Sequence, residues 1–108
     1  MDIPKKLVWL GISLDDLKDF PEEVKDAVGY ALHKVQEGLT PRNVKHLTGF
    51  KPAVMEIVSS YDTNTYRAVY TTKIGGIVYV LHCFAPKQDI DLIEQRLKEA
   101  YLLAFGKR

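Results

Sequence analysis

The chain has 108 residues, 46% of them hydrophobic, with 15 Lys and Arg against 14 Asp and Glu for a net charge of +1 and a single cysteine. That is enough apolar material for one domain, residues 1–108, built around one core. The apolar runs are too short for a membrane span, and Cys83 alone can start neither an internal disulfide nor a cysteine-based zinc site.

The first residues, Met1 to Lys6, carry no apolar signal core, so the cytoplasm is the expected location. Leu7 to Leu10 predicts a short strand. Ser13 with Asp16 three residues on resembles a capping box, opening a short helix that turns Leu14, Leu17 and Phe20 inward and ends at Pro21. Pro21, Glu22 and Glu23 suit the first turn of a second helix. Its Val24, Ala27, Val28, Ala31, Leu32 and Val35 form one apolar stripe, and Gly38 stops it.

Residues 38–52 show little periodicity and predict a long connection, with Arg42, Lys45, His46 and Lys51 as its charge. Three runs of β-favouring residues follow: Val54 to Tyr61, Tyr66 to Ile74 and Ile77 to Phe84. Asp62-Thr63-Asn64-Thr65 and Gly75-Gly76 are the turns between them, which predicts an antiparallel three-stranded meander. Pro86 then opens a C-terminal helix with Ile90, Ile93, Leu97, Ala100, Tyr101 and Ala104 as its stripe and Gly106 at its end. The class is α+β, with a sheet of about four strands.

Charge is uneven along the chain: residues 1–37 carry five Lys/Arg against eight Asp/Glu, residues 38–87 six against two, and residues 88–108 four against four. A basic middle segment suits a polyanion, although a small local excess is also what a solvated surface shows. If the first hairpin is centred between Thr63 and Asn64, Val69 faces Val58; if Gly75-Gly76 is the second turn, Val69 also faces His82 and Arg67 faces Phe84. One sheet face then carries Glu56, Arg67, Val78, Val80, His82 and Phe84, and an uncharged face carries Tyr66, Tyr70, Tyr79, Leu81 and Cys83. Arg67 and His82 become diagonal neighbours able to address one phosphate. Glu56 falls a row beyond His82, roughly 13 Å along the strands from Arg67.

The element order, together with Trp9-Leu10-Gly11, Phe20-Pro21-Glu22-Glu23, Glu56-Ile57, Tyr66-Arg67 with Tyr70, Val78 to His82 with Phe84, and Arg96-Leu97, resembles the RelE/ParE superfamily of bacterial toxins, and within it the phage-derived, HigB-like branch. The resemblance implies a toxin of a two-gene toxin–antitoxin module, a metal-independent endoribonuclease that needs no cofactor and cuts mRNA on the ribosome. Its partner would be a small antitoxin, a helix-turn-helix protein. By this likeness Arg67 is the cation on the phosphorane-like transition state, His82 an acid or base, Glu56 a base or an orienter of Arg67, and Lys45, Lys51 and Lys87 hold the RNA backbone.

Each of these residues also has a plain structural role open to it: Arg67 paired with an acid, His82 hydrogen-bonded in the core, Glu56 a strand carboxylate, the lysines solvated. The sequence departs from the family where relatives carry a lysine-rich loop after the last-strand Phe. Here Phe84-Ala85-Pro86 runs on towards the helix, with Ala85 where a hydroxyl cap is expected. A toxin-like protein that binds its antitoxin without catalysis, and a ParE-like gyrase inhibitor, therefore stand as alternatives.

Overall fold

The computed structural model describes residues 3–85 and 87–106. It follows the order β1 (Leu7–Trp9), α1 (Ser13–Lys18), α2 (Glu22–Gln36), β2 (Val44–Leu47), β3 (Val54–Tyr61), β4 (Asn64–Ile74), β5 (Ile77–Phe84) and α3 (Ile90–Phe105). The α+β class and the meander are as expected, but the sheet has five strands, in the order β1-β5-β4-β3-β2. The added strand is β2, inside the segment expected to be a connection; it is short and edge-lying, and its central Lys45 and His46 are exposed. Charged side chains on a short edge strand discourage pairing with other chains and also hide the strand from pattern reading. β1 runs parallel to β5 and every other pairing is antiparallel. No helix among the described residues is long and apolar enough to cross a membrane.

The sheet separates two apolar layers. On one face α1 and α2 bury Leu17, Val24, Val28, Ala31, Leu32 and Val35 against Ile57, Ala68, Tyr70, Val78, Val80 and Cys83. On the other, Ile93, Leu97 and Ala100 of α3 cover Val54, Val69, Ile74, Tyr79 and Leu81. Gly38, at φ +85°, ends α2, and the Leu39 N–H donates to the Lys34 carbonyl at 2.9 Å, the closing bond that a left-handed residue after a helix permits.

Helix starts differ from expectation in two places. Ser13 is the first residue of α1 rather than its cap, and its hydroxyl donates to the Val80 carbonyl at 3.3 Å, tying the helix to β5. α3 begins at Ile90, where its apolar stripe starts, and not at the expected opening four residues earlier; its cap is Asp89, whose Oδ1 accepts the Leu92 N–H at 3.0 Å. Ala85 is therefore not a capping position, and Pro86 lies outside the described residues.

Two register findings position the site. The first hairpin turns at Asp62-Thr63, both at positive φ (51° and 67°), so Tyr61 pairs with Asn64, Val58 with Arg67 and Glu56 with Val69. The expected turn centre is one residue too late, which displaces every partner by two while leaving each side chain on its face. In the second hairpin Ile74 pairs with Ile77 and Val69 with His82 as expected, but between them Tyr70 pairs with Val80 and Thr71 with Tyr79. Two irregularities thus cancel. The stretch between them is turned over: Val78 and Val80 lie under α1 and α2, and Tyr79 and Leu81 under α3, the reverse of the straight-ladder expectation.

Candidate active site

On the α3 side of the sheet, cross-strand pairing lines up Lys45 (β2), Glu56 (β3), Val69 (β4) and His82 (β5) in one row. Strands lie about 4.8 Å apart, so Glu56 and His82 are separated by about 10 Å with Val69 between them. The neighbouring row holds Val58, Arg67 and Phe84. Arg67 is thus diagonal to both Glu56 and His82, and its Nη1 donates to Glu56 Oε1 at 2.9 Å. The separation of Glu56 from Arg67 expected from the sequence is corrected by the register: the two form an ion pair.

The pair is asymmetric. The Glu56 side chain is 4% exposed and that of Arg67 32%, so the carboxylate forms the floor and the guanidinium the solvent-facing rim. Glu56 Oε2 is buried with no hydrogen-bond partner among the described residues. A carboxylate in that position needs a cation, and Arg67 supplies it while keeping its other nitrogens free of any protein hydrogen bond among the described residues. A planar guanidinium held on one edge by an acid and open on the other is suited to gripping two oxygens of a phosphate.

His82 is 8% exposed and stacks on Phe84, with ring centroids 4.8 Å apart and planes 21° from parallel. Burial lowers its pKa below the ordinary imidazole value, the nearby Arg96 charge lowers it further, and Asp16 and Asp89 pull the other way. The ring is thereby biased to the neutral form, able to accept a proton. Its Nδ1 is buried without a partner among the described residues. The side chain lines an open recess of about 580 Å³ with Lys87, Gln88, Asp89, Ile90 and Asp91.

Of the three lysines, Lys45 stands in the Glu56 row through the strand that sequence reading missed, and Lys87 shares the His82 recess. Lys51 lies elsewhere, in a groove of about 330 Å³ between the β2–β3 loop and α3, to which neither Arg67 nor His82 contributes. Tyr66 and Tyr70 point to the helix side; Tyr66 packs on Phe20 at 4.8 Å, and burial pushes the Tyr70 hydroxyl up to about 12. Cys83 is buried on that same side with its thiol raised to about 12 by burial, which makes it an inert core residue.

The sequence pattern of a family described as phage-derived protein Gp49-like (DUF891) matches residues 15–98, from α1 to the middle of α3. The chain belongs to the Gp49-like family. That family is part of the RelE/ParE-like toxin superfamily. No curated protein and no solved structure matches the chain. The matched span contains Lys45, Glu56, Arg67, His82 and Lys87. It also contains Arg96, a functional candidate that sequence reading passed over. The available signal was position: Arg96 is three residues from Ile93 and four from Ala100, on the stripe that α3 buries, where a cation requires a reason.

Proposed function

We propose that this Gp49-like protein is the HigB-like toxin of a toxin–antitoxin pair and cleaves ribosome-bound mRNA without a metal. The observation that carries the reading is the half-exposed Arg67 guanidinium anchored by buried Glu56, diagonal to a neutral-biased imidazole. Neutral His82 takes the proton from an RNA 2′-hydroxyl, and the oxygen so formed attacks the adjacent phosphorus. Arg67 neutralises charge on the non-bridging oxygens as the fifth bond forms. The 5′-oxygen departs, taking a proton from solvent, and leaves a 2′,3′-cyclic phosphate. Glu56 acts here as the positioning residue for Arg67, while Lys45 and Lys87, with Lys51 farther along the surface, bind the backbone phosphates. A small helix-turn-helix antitoxin neutralises the protein in the cytoplasm.

The test is induced expression with primer extension on ribosome-bound transcripts. Growth arrest with new transcript ends is expected, both relieved by a folded Arg67→Met variant; arrest that persists in that variant overturns the assignment of Arg67. Intact transcripts with DNA-damage signalling would place the protein with gyrase inhibitors instead. A second reading, an antitoxin-binding protein without catalysis, is favoured by the near-complete burial of His82 and by the engagement of Arg67 with Glu56. On that reading expression is harmless while the product of the neighbouring gene still binds.

A further inference from the structure

We propose that Arg96, reaching across from α3 to the Leu81 carbonyl, is the positioning residue that places His82 on the phosphate-facing side of the sheet with a fixed cation beside its ring. The catalytic consequence rests on the function proposed above; the placement itself does not.

Leu81 has no register partner in β4, because Val69 pairs with His82 and Tyr70 with Val80. Such an extra residue puts two consecutive side chains on one face, and Leu81 and His82 both face α3. In an unbroken ladder continued from Tyr70–Val80, Leu81 would pair with Val69 and His82 would turn under α2. The bulge is therefore what delivers His82 to the site. It also takes Leu81 out of the ladder, and the Leu81 carbonyl accepts from Arg96 Nη1 at 2.7 Å.

Arg96 is 7% exposed, and no carboxylate of the described residues forms an ion pair with it. A buried guanidinium without a counter-charge is costly, and hydrogen bonding to a backbone carbonyl offsets only part of that cost. Its neighbourhood is shaped to admit it: a Cβ on Gly11, which has φ +55°, would come within 2.5 Å of Nη2. The charges that bear on His82 are Arg96 on α3, Asp16 on α1 and Asp89 at the start of α3. Lys87 and Asp91 line the same recess, and on the same face Arg67 lies on the neighbouring strand and Glu56 on the strand beyond it. Among these, Arg96 is the cation fixed by its own hydrogen bond at the residue preceding His82.

The test is an NMR titration of the His82 ring in the full chain, read with the cross-strand contact between Val69 and His82. In the wild type the midpoint falls below the ordinary imidazole value of 6.5. Arg96→Lys keeps a charge and a donor and retains that depressed midpoint. Arg96→Gln keeps a donor without the charge, and the midpoint moves up. Arg96→Met removes both, and Val69 exchanges its His82 contact for one with Leu81. An unmoved midpoint in Arg96→Gln, or an unchanged Val69–His82 contact in folded Arg96→Met, overturns the proposal. Should both variants fail to fold, a wild-type midpoint at or above the ordinary value overturns it. Failure of the wild type to cleave transcripts removes the nuclease reading and leaves these readouts intact.

Discussion

Arg67 Nη1 lies 2.9 Å from Glu56 Oε1, a diagonal contact across β3 and β4 between a half-exposed cation and a buried anion. Because Glu56 is almost fully buried, removing Arg67 leaves its carboxylate without its ion-pair partner. Arg67→Met is expected to destabilise the fold by about 3 kcal/mol, whereas Glu56→Gln paired with Arg67→Met recovers at least half of that. Urea unfolding of the single and double variants measures the coupling; strictly additive losses would show that the pair is not an energetic unit.

His82 sets a pH dependence. Its folded pKa is lowered, first by burial and then by Arg96, so the unfolded chain binds the extra proton in the window between the lowered value and the ordinary 6.5. Stability therefore rises with pH across that window and is lost as pH falls through the folded value. Unfolding free energies between pH 5 and 8 should show this slope in the wild type and a weaker one in His82→Gln; identical slopes would mean that His82 does not carry it.

Capping of α3 belongs to Asp89. Asp89→Ala should cost ~1 kcal/mol by thermal or urea unfolding. Ala85→Ser, the hydroxyl that the family pattern suggests, should change stability by less than about 0.5 kcal/mol. A larger gain from the serine would contradict the observed helix start.

Thr63 occupies the second central position of the first hairpin at φ +67°, a conformation that β-branched residues disfavour. Thr63→Gly should stabilise the protein by roughly 0.5–1 kcal/mol, the relief of strain exceeding the added freedom of the unfolded chain. A lower melting temperature in Thr63→Gly would count against a two-residue turn at Asp62-Thr63, and with it the register that joins Glu56 to Arg67.

What the sequence determines by itself is whatever repeats locally. The stripe from Val24 to Val35 and the stop at Gly38 define α2, because a helix face is written every three or four residues. Strand alternation likewise places Glu56 and Arg67 on one face, whereas His82 joins them only through the bulge at Leu81. Tertiary structure decides how those strands slide against one another. Moving the turn from Thr63-Asn64 to Asp62-Thr63 leaves the alternation untouched yet brings Glu56 from a distant row into contact with Arg67. The bulge at Leu81 is equally silent in a hydrophobic pattern, since Tyr79, Val80 and Leu81 are apolar whichever way they point. β2 depends on its pairing with β3, and the Arg96 contact on the Leu81 carbonyl of another element. Periodicity is a property of neighbours along the backbone; register, edge pairing and the burial of a lone cation are settled by hydrogen bonds between segments that no local pattern records.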